Sequence, residues 1–213
     1  MTESHSENLR QALEKARREI SLLDPTWMAS RSGTVYDFSE TAFEVPFFDE
    51  FLKVSYPAGL VERVDRRGVT DTEALICLHY LIQADGTPVR HEWVAYRDLP
   101  GARYHEPAFV AEVERPLSLG LAGRLQALRE WSDRHARTLE IAGDIALAWE
   151  AFPHIPLLII FNEQDEEFPA SARVLFDISA PNYLPTEDLS ILAEIAAARL
   201  LAGLQLLSDG TVD

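Results

Sequence analysis

A chain of 213 residues, 47% of them apolar, can bury a substantial core, which excludes global disorder. Asp plus Glu number 35 against 19 Lys plus Arg, a formal charge of −16; with no Lys/Arg-rich block to offset it, such a field repels phosphate backbones and anionic lipid surfaces. The lone Cys77 excludes an internal disulfide, a Cys-rich zinc site and a protein-ligated iron–sulfur cluster, so neither a nucleic-acid nor a membrane partner is expected and no cofactor is named by the composition.

The opening "MTESHSENLR" has no basic stretch followed by an apolar one, so no secretory signal is expected. The longest strand-like apolar run, "IPLLIIF" (Ile155–Phe161), is too short to cross a bilayer, and a cytoplasmic location is the expectation. Leu9, Leu13, Ala16, Ile20 and Leu23 recur at helical spacing and predict an amphipathic helix from about Glu7 to Leu22, stopped by Asp24-Pro25. Between Gly33 and Val64 the pattern changes to "TVYDF", "AFEVPFF", "FLKVSY" and "LVERV", short Val- and aromatic-rich pieces set between turns, which predict antiparallel strands. Thr70-Asp71-Thr72-Glu73 reads as a capping box opening a nearly all-apolar helix through about Gln83.

"HEWVAYRDL" alternates like a strand and leads into the loop "PGARYHEPAF". Helical signal returns from about Ala108 to Gly143, interrupted near Pro116 and Gly120, with Leu121, Leu125, Leu128 and Leu139 on one stripe. Strands "IALAWEAF", "IPLLIIFN" and "ARVLF" follow, and a last helix starts at Thr186, where Glu187 and Asp188 favour the dipole, and runs to about Leu207. Its narrow polar stripe, Glu187, Ser190, Glu194 and Gln205, leaves the rest to pack against a sheet. Clustered rather than alternating strands and helices predict the α+β class: one mostly antiparallel sheet packed against several helices, with an amphipathic helix over residues 1–24 and a single domain over 25–213.

Two segments could carry chemistry. Arg90, His91, Trp93, Arg97, Arg103, Tyr104 and His105 are concentrated in Arg90–Phe109, where guanidinium groups and rings could hold a planar anionic ligand. Asp85, Glu92, Asp98 and Glu106 cancel that charge, so local ion pairs explain the segment as well. Asp165, Glu166 and Glu167 fall in the loop after one apolar strand and Asp177 closes the next, an all-oxygen set of the kind that suits Mg²⁺ or Ca²⁺. The turn glycine of an EF-hand loop is missing, and a solvated loop gives the same pattern. Glu163, nearby, is assigned no role. His79 lies within the apolar helix, and Ser132 and His135 on the apolar stripe of the long helix. Each could ligate a metal or a haem-like cofactor, but no metal-ligand spacing supports this. His79 reads as a core or interface histidine, while Cys77 in an apolar helix reads as an inert thiol.

"LHYLIQADGTPVRHEWVAYRDLPGARYHEPAF" followed by "DEEFPASARVLFDISAPNYLPTEDLSIL" resembles an uncharacterised prokaryotic family, domain of unknown function 3786, over roughly Gly33 to Leu207. The resemblance implies a setting in anaerobic bacteria and archaea, near corrinoid, one-carbon or iron–sulfur redox metabolism, because some relatives carry the domain beside an iron–sulfur segment of the corrinoid-protein type. This chain has no cysteine cluster, so a partner would supply it. The resemblance makes "YRDLPG" and "DEEFP…LFD" signature segments and supplies no catalytic residue. Three readings remain open: a binding module for a small anionic cofactor or a partner protein along Arg90–Phe109, a divalent-metal-dependent enzyme using Asp165, Glu166, Glu167 and Asp177, and a structural subunit of a larger complex.

Overall fold

A computed structural model describes residues 3–63 and 68–208. The fold is α+β, and its strands form two antiparallel sheets rather than the one sheet expected. The chain clusters into two compact units, each discontinuous in sequence: Met1–Pro88 with Phe152–His154 and Asn182–Pro185, and Val89–Ala151 with Ile155–Pro181 and Thr186–Asp213.

In the first unit, helix α1 (Glu3–Ile20) begins a turn earlier than its stripe predicts and buries Leu13, Ala16 and Ile20. Asp24-Pro25 ends it and also starts α2 (Pro25–Ser32), which the sequence reading missed. Asp24 is its N-cap, accepting from the Trp27 N–H at 2.8 Å, and Pro25 stands where a missing N–H costs nothing. Gly33 closes α2 at φ 68°, a left-handed conformation that favours glycine, and a Cβ there would crowd the tip of the His154 ring, Nε2, at 2.9 Å. Strands β1 (Val35–Asp37), β2 (Ala42–Phe47), β3 (Glu50–Ser55) and β4 (Val61–Arg63) are antiparallel, as expected, and form a meander in that order. Val64, the last residue of the expected fourth strand, lies outside the described residues. The capping box closes α3 (Asp71–Gln83) in both directions, Glu73 N–H to Thr70 Oγ1 at 3.2 Å and Thr70 N–H to Glu73 Oε2 at 3.0 Å. Arg63 then joins the same Glu73 at 2.6 Å and Glu50 at 3.1 Å, a largely buried triad in which each carboxylate has a charged donor.

Apart from Phe152, the second unit contains the strands β5 (Trp93–Ala95), β6 (Arg137–Thr138), β7 (Ile145–Phe152), β8 (Ile155–Asn162) and β9 (Ser171–Asp177), ordered β5-β9-β8-β7-β6. β7 and β8 bury both faces, which is why their sequences read as continuous apolar runs. Helix α4 (Glu106–Phe109) passes through a π turn (Val110–Glu114) into α5 (Arg115–Leu121); α6 (Leu125–His135) and α7 (Thr186–Ser208) complete the unit. The helical run is therefore not interrupted at Pro116, which occupies the first turn of α5. The break falls at Ala122–Arg124, where Gly123 adopts φ 73°. Nor does helix reach Gly143: α6 stops at His135, and Leu139 lies in the connection to β7. α7 is, among the described residues, the one helix long and apolar enough to cross a membrane by length and composition, and 39% of that window is buried.

β9 extends past its short neighbour β5, and side chains complete the bonding there. Glu114 Oε1 accepts from the Val174 N–H at 3.1 Å, and Ser118 Oγ accepts from the Ala172 N–H at 2.8 Å. Residues four apart on a helix rise about 6 Å, close to the roughly 6.7 Å between strand residues two apart. The match lets one helical face occupy the place of a strand.

Candidate functional site

Seven residues of the Arg90–Phe109 segment were candidates for ligand binding, and they divide into two groups. Arg90 and His91 form a turn wrapped around Asp177, whose side chain is wholly buried. Its carboxylate accepts the backbone N–H of Arg90 at 3.1 Å and of His91 at 2.5 Å, then the Ser179 N–H at 3.0 Å and hydroxyl at 2.6 Å. Where these two amides meet the carboxylate the backbone turns left-handed, His91 standing at φ 57°. Burial by itself would raise the Asp177 pKa, but the donors of Ser179, Arg90 and His91 outweigh it and hold the group below the usual carboxylate range. Trp93 pairs with Asp177 across β5 and β9, so both ends of this contact are fixed by strand register. The Arg90 guanidinium lies outward, 3.7 Å from Glu92, in an exposed pair of little energetic weight.

Arg97 and Arg103 do converge. They line an open cleft of about 510 Å³ together with Asp98 and Glu106. Arg97 lies 3.3 Å from Glu106 and 4.0 Å from Asp98, so its charge is compensated from within the cleft. The backbone between them is pinned: the amides of Leu99, Ala102 and His105 donate to the carbonyls of Tyr96, Leu99 and Ala102, and Thr186 Oγ1 reaches the Pro100 carbonyl at 2.7 Å. Beneath it Tyr96 stacks on Phe109 with centroids 4.2 Å apart. Tyr104 stands on this rigid turn with 92% of its surface exposed, between the exposed Arg103 and His105.

The four proposed metal ligands are not brought together. Asp177 is committed to the turn just described. Asp165 Oδ1 accepts the amides of Glu167 at 2.8 Å and Phe168 at 2.7 Å, and these bonds hold its carboxyl below the usual range. Glu166 and Glu167 are exposed in the same turn. Among the described residues no group of three or more His, Cys, Asp or Glu side chains is arranged to hold a metal. Glu163, given no role in the sequence reading, has one: both its oxygens accept the Gly123 N–H, at 2.9 and 3.0 Å, and tie down the turn before α6.

Other polar positions became visible only in three dimensions. Burial pushes the Glu114 carboxyl up despite its bond from Val174, and burial followed by the nearby Glu112 carboxylate pushes Glu194 up. Ser190 and Glu194, on the same polar stripe of α7, are half-buried, so part of that stripe faces protein. His79 is half-buried in α3, Ser132 is buried with its hydroxyl on the Arg129 carbonyl at 2.7 Å, and His135 stacks on Trp131 at 4.8 Å. Cys77 is fully buried and its thiol is pushed far up, the opposite of a nucleophile.

Comparison with curated proteins finds no match, and comparison with solved structures finds none. The family model of DUF3786, a domain of unknown function, matches residues 24–199, and the chain belongs to that family.

Proposed function

We propose that this protein is a cytoplasmic, non-catalytic binding module that docks a partner protein through the turn carrying Arg103, Tyr104 and His105. The observation that carries this reading is Tyr104, 92% exposed on a backbone held by its own hydrogen bonds and by Thr186. A large ring kept in water on a rigid turn loses little entropy when a partner covers it, and Tyr and Arg are the side chains that most often dominate such contacts. A small anionic cofactor fits less well, because the cleft is open and Arg97 is already compensated by Glu106 and Asp98. The corrinoid and iron–sulfur setting implied by the family resemblance makes cells grown anaerobically the place to look.

The test is a photo-crosslinking amino acid placed at Tyr104 and, as control, at Leu22, which is 84% exposed in the first unit. Position 104 should give one discrete adduct and position 22 none. Equal, diffuse labelling from both positions would refute the docking role.

A further inference from the structure

Resting on the docking reading above, we infer that the partner's surface presents an Asp or Glu carboxylate to Arg103, beside an apolar recess that takes the Tyr104 ring. The four charged groups of the cleft do not cancel evenly. Arg97 has both acids, Glu106 at 3.3 Å and Asp98 at 4.0 Å. Arg103 lines the same cleft but, among the described residues, forms no ion pair. Its guanidinium therefore keeps its full set of donors in a fork that matches a carboxylate bidentately. The neighbouring Tyr104 supplies apolar area that an isolated surface arginine lacks, and its burial on contact would exclude water from the new ion pair.

The overall charge of −16 sharpens the assignment. A basic partner has many acidic patches on this molecule to choose from, and the long-range field would not single out this turn. An acidic group is repelled over most of the surface and is welcomed where an arginine is left uncompensated beside an anchor. Specificity then comes from repulsion elsewhere as much as from attraction here.

The experiment is panning of a phage-displayed random peptide library against the full chain, with Arg103→Glu, Arg103→Lys and Tyr104→Ala variants in parallel. The expected result is enrichment of peptides joining Asp or Glu to an apolar residue. Their affinity should fall about tenfold or more in Arg103→Glu, fall further in Tyr104→Ala, and be only partly kept in Arg103→Lys, which retains the charge but not the fork. Enriched peptides with no acidic preference, still lost in Tyr104→Ala, would overturn the charge assignment and leave the docking reading intact. Peptides indifferent to both positions, or no enrichment at all, would overturn both. So would binding of inorganic phosphate that Arg103→Glu abolishes in the absence of any peptide binding, which would make the cleft a small-anion site.

Discussion

Asp165 and Asp177 use the same chemistry in opposite surroundings. Each carboxylate accepts successive backbone amides, Asp165 from Glu167 and Phe168, Asp177 from Arg90 and His91. Asp165 closes a turn within its own loop and stays in water, whereas Asp177 is buried and holds a segment 86 to 87 residues away in the chain. An exposed acceptor can be replaced by solvent when it is removed. A buried one leaves two or three amide donors with nothing to bond, and the cost of those orphaned groups exceeds the net worth of the bonds themselves. Hydrogen bonds of similar geometry thus differ greatly in consequence, and burial decides which matters.

Asp177→Ala should lower the free energy of unfolding by about 3 kcal/mol or more, read from urea denaturation, with loss of protection in amide exchange at Arg90 and His91. If it costs no more than an exposed change, burial is not the deciding variable. Asp177 also sets a pH dependence. Its folded-state pKa lies below the unfolded value, so its contribution is present above about pH 4 and is lost as the pH falls through the folded-state pKa. Glu114 and Glu194, raised by burial, work in the other sense: their contributions are full below the unfolded glutamate pKa and disappear as the pH rises through their folded-state values. Denaturation series on Asp177→Asn and on Glu194→Gln should therefore flatten opposite flanks of the stability profile.

Ser179→Ala removes one of two donors from the same residue to Asp177 and should cost about 1 kcal/mol. His91→Gly relieves a left-handed backbone on a non-glycine residue, and stability should stay level or rise by up to about 1 kcal/mol. A large loss there would mean that the His91 side chain has a contact role beyond the turn. Asp165→Ala should leave the unfolding midpoint where it is. A marked fall would mean that the exposed loop is held by more than its two local bonds.

Local chemistry was legible in the sequence, and long-range pairing was not. Thr70 and Glu73 announced their helix because both halves of the capping box lie within one turn. The strands of both sheets were visible in their apolar and β-branched runs, except β6, whose Arg137–Thr138 fell inside the expected helix. Asp24 was half read, as the stop of α1, because its second use as the cap of α2 depends on Pro25 opening a helix rather than ending one. Helix was carried too far beyond His135 because Leu139 happens to continue the spacing of the stripe, while the turn at Gly143 that sends the chain into β7 has only weak local signals. The acids after β8 looked like one feature. Whether Asp177 belongs with Asp165 depends on β5 lying beside β9, a pairing between Trp93 and Asp177 that no local pattern encodes. The candidate cleft was half legible for the same reason: its charges are close in sequence, but which arginine is left unpaired depends on geometry.

The seal along β9 has a consequence of another kind. Sheets invite strangers: an amide row left open at a rim is a template on which a second molecule can lay its own strand. At Ala172 and Val174 that row is already occupied by Ser118 and Glu114, and Glu114 adds a carboxylate that an incoming backbone carbonyl would have to displace. Growth of the sheet from molecule to molecule is closed along this stretch without any strand being spent to close it. Removing both side chains would leave the monomer's outline much as it is and change what it does in a crowd.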